Sequence, residues 1–125
     1  MSLRLGRAAA VASSLVLLAW TTIGEAAAHA SLVSAEPADG AVLETAPSAL
    51  TLRFNEDARP LVARLIRPDG RQELLRDLRS NGTVLTIALP AELAQGTHIV
   101  SWRVTSQDGH PAAGASLFSV GAATA

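Results

Sequence analysis

The chain is 125 residues long and carries ten basic residues, eleven acidic ones, three histidines and a formal charge of −1. It contains no cysteine, which excludes disulfide staples, thiolate metal sites and thiol redox pairs. The basic residues are all arginine and form no stripe, so no nucleic-acid partner is expected, and the length allows one small domain.

The N-terminus reads as a cleaved secretory signal. "MSLRLGR" supplies Arg4 and Arg7 without an acid, residues 8–20 are apolar or small, and small residues follow to Ala28. The apolar run falls short of the ~20 residues that a membrane span needs, and no later run is long enough. The mature protein is therefore expected in the periplasm and not in the membrane. Signal peptidase requires small residues at −3 and −1, and two sites satisfy it. Cleavage after Ala28 leaves His29 as the new N-terminus, and cleavage after Ala30 leaves Ser31. Removal of residues 1–28 leaves one domain, residues 29–125, with eight arginines, ten acids and no methionine.

The rest of the chain alternates with period two, as half-buried strands do. In residues 49–54, Leu50, Leu52 and Phe54 oppose Thr51 and Arg53. Strands are also expected in residues 61–67 and 83–89. In residues 97–105, His98, Val100, Trp102 and Val104 share one face, and residues 115–120 form the last strand. Turn signals separate these runs: "EPADG" at 36–40, "PDG" at 68–70, "NG" at 81–82, "QG" at 95–96 and "QDG" at 107–109. A single helical turn is expected at residues 90–95. This spacing implies an all-β antiparallel sandwich.

The histidines carry the chemical signal, because imidazole is the commonest metal ligand. His98 shares the apolar face with Trp102 and reads as a buried core residue. Asp108 and His110 lie two apart, so in extended backbone both side chains point the same way. The same residues also fit a plain polar turn. If His29 is N-terminal, its α-amine and imidazole can chelate one ion, and with Asp108 and His110 they give three nitrogens and one carboxylate. Mixed nitrogen and oxygen donors in tetragonal geometry suit Cu(II), and the lack of thiolate and thioether disfavours Cu(I).

Two stretches, "HASLVSAEPADGAVLETAPSALTLRFNE" and "GTHIVSWRVTSQDGHPAAGASLFSV", resemble the CopC family of bacterial periplasmic copper-binding proteins. The motifs are an N-terminal His, a "P-x-D-G" turn, "L-x-L-x-F-x-E", a Trp strand and a "D-x-H" turn before the last strand. The resemblance implies a seven-stranded Greek-key β-sandwich, cupredoxin- or immunoglobulin-like. It implies one Cu(II) per chain on His29, Asp108 and His110, with Glu56 orienting a ligand from behind. It also implies copper sequestration, transfer or resistance, in partnership with an inner-membrane copper transporter of the CopD type or other periplasmic copper proteins. The chain departs from some relatives in lacking a Met-rich Cu(I) loop and a His-x-His N-terminus.

Two other readings stay open here. An N-terminal His brace resembles the copper site of lytic polysaccharide monooxygenases, although this chain lacks the tyrosine those enzymes commonly use. A metal-free sandwich serving adhesion or structure would follow if cleavage removed His29.

Overall fold

The computed structural model describes residues 30–124, so the expected leader and His29 lie outside the described residues. Nine strands follow in order: β1 (Leu32–Glu36), β2 (Ala41–Leu43), β3 (Ala49–Phe54), β4 (Ala58–Ile66), β5 (Gln72–Leu74), β6 (Leu78–Asn81), β7 (Val84–Ala88), β8 (Gly96–Ser106) and β9 (Pro111–Val120). They build a four-stranded sheet ordered β1-β3-β7-β6 and a five-stranded sheet ordered β2-β9-β8-β4-β5. The expected all-β sandwich is what the chain forms. It has nine strands where seven were expected, and three of the nine, β2, β5 and β6, are short edge strands of three or four residues. One pair, β2 with β9, is parallel.

The period-two pattern decides which side chains are inside. Leu50, Leu52 and Phe54 of β3 and Leu85 and Ile87 of β7 face inward from one sheet. Ala63 and Leu65 of β4, Val100, Trp102 and Val104 of β8 and Phe118 and Val120 of β9 meet them from the other. Full burial of such side chains contributes about 1.5–3 kcal/mol each, which makes this layer the main support of a domain without disulfides. Residues 90–95 do not form the expected helical turn. The Glu92 carbonyl instead accepts a hydrogen bond from the Arg67 guanidinium at 3.2 Å, so that carbonyl is satisfied from outside the segment.

His98 is a core residue, as expected, fully buried and stacked on Phe118 with ring centroids 5.4 Å apart and planes 10° apart. Neither ring nitrogen has a hydrogen-bond partner, which differs from the usual satisfied core histidine. Burial holds the imidazole below its ordinary pKa, against a smaller opposing effect of the Gly96 backbone, with Arg67 adding to the depression. The unfolded chain therefore takes up a proton at ordinary histidine pH that the folded chain refuses. Stability should be complete above pH ~6.5 and should fall as pH drops below it. His98→Phe keeps the ring stack, so it should change stability by only about 1–2 kcal/mol at pH 8. It should also flatten the loss of stability between pH 7 and pH 5. Urea midpoints at those pH values check this, and an unchanged acid slope in the variant would assign the acid sensitivity elsewhere.

Candidate metal centre

The strand order brings separate chain segments to one end of the sandwich. β3 ends there at Phe54. β4 begins there at Ala58, paired with Ser106 at the end of β8, and β9 begins there at Pro111, paired with Thr105. β1 runs antiparallel to β3, so its first residue, Leu32, faces Phe54. Residues 30–31, 55–57 and 106–111 thus share one end.

The β8–β9 turn at this end is closed by two backbone hydrogen bonds. Gly109 donates to the Ser106 carbonyl at 3.0 Å, and Ser106 donates to the His110 carbonyl at 2.9 Å. Gly109 takes a φ of +85°, which only glycine adopts without strain. The turn holds Asp108 and His110 together. Asp108 Oδ2 lies 2.9 Å from His110 Nδ1, and the His110 N–H donates to Asp108 Oδ1 at 3.3 Å. Beneath them the buried Ser106 hydroxyl donates to Asp108 Oδ1, and it also lies 3.1 Å from the His110 carbonyl.

The Ser106 hydroxyl is the largest cause holding the Asp108 carboxyl down at about 2, followed by the hydrogen bonds from His110. Asp108 is therefore a carboxylate at any pH well above that value. A depressed carboxyl pKa contributes stability above the ordinary carboxylate range and loses it as pH falls toward 2. Asp108 is exposed, so this contribution is small. Ser106→Ala should raise the Asp108 pKa toward the ordinary value of ~3.9. Carboxyl chemical shifts followed through an acid titration check this, and an Asp108 still titrating near 2 would show that the hydroxyl does not hold it.

The described N-terminus is fastened to the same end. Ser31 donates its N–H to Asn55 Oδ1 at 2.7 Å, and the Asn55 N–H returns a hydrogen bond to the Ser31 carbonyl at 3.0 Å. Ala30 is buried in the core. Glu56 is half-buried in the β3–β4 loop at this end. Among the described residues its carboxylate makes no hydrogen bond or ion pair with Asp108 or His110. No group of three or more metal-ligating side chains occurs among the described residues. Asp108 and His110 are thus two donors of the expected set, and the third, His29, lies outside the described residues. Sequence reasoning missed Asn55 and Ser106. A buried serine two residues before Asp108, on the same side of the strand, is the signal that could have found the second.

A family profile described as "CopC domain" matches residues 32–121. The chain belongs to the CopC family. Among its relatives, copper resistance protein C of Xanthomonas campestris pv. juglandis is 28% identical over 121 residues, covering 88% of this chain and 94% of that protein. Protein YobA of Escherichia coli (strain K12) is 33% identical over 98 residues, covering 74% of this chain and 79% of that protein. Copper transport protein CutJ of Bacillus subtilis (strain 168) is 28% identical over 104 residues, which span 77% of this chain and only 19% of CutJ. The solved structure of CopC from Methylosinus trichosporium OB3b superposes with a TM-score of 0.65 at 30% identity, covering 74% of this chain and 93% of that one. PcoC from Escherichia coli, a methionine-rich copper resistance protein, superposes at 0.58 and 27% identity, covering 74% of this chain and 99% of that one. In this CopC protein the only methionine is Met1.

Proposed function

We propose that the chain is exported to the periplasm, loses residues 1–28, and serves as a carrier that holds one Cu(II) per chain. The ligands are the α-amine and imidazole of His29, the carboxylate of Asp108 and the imidazole of His110. The carrying observation is that Ala30 and Ser31, the residues following His29, are fixed at the end of the sandwich where Asp108 and His110 meet. The burial of Ala30 favours cleavage after Ala28, because cleavage after Ala30 would strip a residue from the core.

His110 Nδ1 and Asp108 Oδ2, 2.9 Å apart, share a hydrogen bond, so an ion bound by those two atoms would displace the proton between them. Glu56, half-buried at the same end, orients a ligand in the loaded site. The role is sequestration and delivery rather than turnover, with an inner-membrane copper transporter of the CopD type or another periplasmic copper protein as partner. The names of the copper-transport and copper-resistance relatives support the cargo.

Intact mass of the protein purified from the periplasm, with and without copper, tests the reading. It expects His29 at the N-terminus, one Cu(II) bound, and weak binding of Cu(I) against a competing chelator. An N-terminus at Ser31, or tight Cu(I) binding, would overturn it.

A further inference from the structure

The outer face of the five-stranded sheet has a charge distribution unlike the rest of the chain. Opposite the buried Val100, Trp102 and Val104, the pleat turns Ile99, Ser101, Arg103 and Thr105 outward. Pairing sets Arg64 beside Ser101 and Arg59 beside Thr105. Arg59, Arg64 and Arg103 are exposed, and none forms an ion pair among the described residues. A shallow depression lies between Arg64 and Arg103, bordered by Val62, Ser101 and Ala113.

No Asp or Glu occurs in β2, β4, β8 or β9. Of the acids at the margins, Asp57 lines a depression beside Arg59 and Thr105, and two others are engaged. Asp39 accepts the Leu117 N–H at 2.8 Å, and Glu73 of β5 is held by Arg67. A chain of formal charge −1 thus keeps one sheet face positive. Around the arginines the face is apolar: Leu117 and Leu74 are 38% and 44% exposed, and Ile99, Ile66 and Val62 are half-buried.

We propose that this face docks a protein partner that presents carboxylates among apolar side chains. Unpaired arginine is suited to bidentate binding of carboxylate, and the apolar surround supplies area that a free anion would leave uncovered. The three long strands β4, β8 and β9, of nine, eleven and ten residues and ~4.8 Å apart, give a face of roughly 500 Å². That is the scale of a weak, transient contact rather than a permanent one. Three arginines are too few for a nucleic-acid backbone. The docking is independent of metal, so it is tested on the metal-free protein and its outcome is separate from that of the copper site.

The probe is a capped Glu-Leu-Glu-Leu-Glu-Leu peptide titrated into isotopically labelled protein, with its Gln-Leu counterpart and phosphatidylglycerol vesicles as the other arms. Amide shifts should be confined to residues 62–64, 99–103 and 113–117. The glutamine peptide, and the double variant Arg64→Glu/Arg103→Glu, should each bind roughly tenfold more weakly or worse. Should the double variant not fold, Arg103→Gln alone should still weaken binding severalfold. Shifts spread over Arg71, Arg76 and Arg79, binding that survives these substitutions, equal binding of the glutamine peptide, no response to the acidic peptide, or a response to vesicles alone would each overturn the proposal.

Discussion

A single glycine added before His29 should leave the protein folded and lower its Cu(II) affinity by well over tenfold, which is more than about 1.4 kcal/mol. With the proposed ligand set, the extension moves the α-amine off the chelate ring and leaves the other three donors unchanged in kind. An expression tag retained at the N-terminus acts in the same way. His110→Ala removes another of the proposed donors and should cost a similar factor. In model peptides an α-amine has a pKa of ~7.7–8.0 and an imidazole ~6.5, and Cu(II) must displace protons from both kinds of group, so affinity should weaken as pH falls through that range. Asp108, held at about 2, adds no proton to this slope. Trp102 is the one tryptophan among the described residues, so quenching of its emission offers a readout where competition titration is impractical. Equal affinity in the extended and native-terminus proteins would show that the amine is not a ligand, and the site would then rest on Asp108 and His110 alone.

What the sequence revealed and what it hid follow from the range of the signals. The alternation in residues 97–105 identified β8 and its inner face, because eleven residues give several periods to count. Three-residue strands give none, so β2 and β5 were invisible, and the parallel pairing of β2 with β9 is a fact of topology that no local pattern carries. The "NG" signal lay one residue early: Asn81 pairs with Val84, and Gly82 and Thr83 make the turn. Asp108 and His110 do meet, but through the tight turn at Gly109 and not on the extended backbone that the Asp-x-His spacing was read on. The clamp of Ser31 by Asn55 joins positions 24 apart and could be seen only once β1 lay along β3. The same holds for His98. Its place on the apolar face was legible, but its two unpartnered nitrogens depend on neighbours drawn from other strands.

Gly114→Ala should destabilise the domain by about 1–2 kcal/mol although it adds one methyl group. Gly114 stands opposite Trp102 in the β8–β9 ladder. A Cβ there would lie 2.5 Å from Trp102 Cζ2 and 2.9 Å from Cε2, closer than such carbons approach. The backbone at Gly114 is not left-handed, so the cost is steric rather than conformational. Alanine would otherwise help, since replacing glycine at a compatible position gains about 0.4–1 kcal/mol from the unfolded state. Overpacking costs typically 1–3 kcal/mol and exceeds that gain, because the indole is buried in the close-packed core. The thermal midpoint of a domain this size should drop by about 5–15 °C. Trp102→Phe removes the second ring that meets the new methyl. Alone it should cost stability through the cavity it leaves, yet in the Gly114→Ala background it should cost much less or restore some. Denaturant unfolding of the two single variants and the double variant measures that coupling. A Gly114→Ala protein as stable as the parent, or two effects that simply add, would show that the missing Cβ is not what lets Trp102 lie against β9.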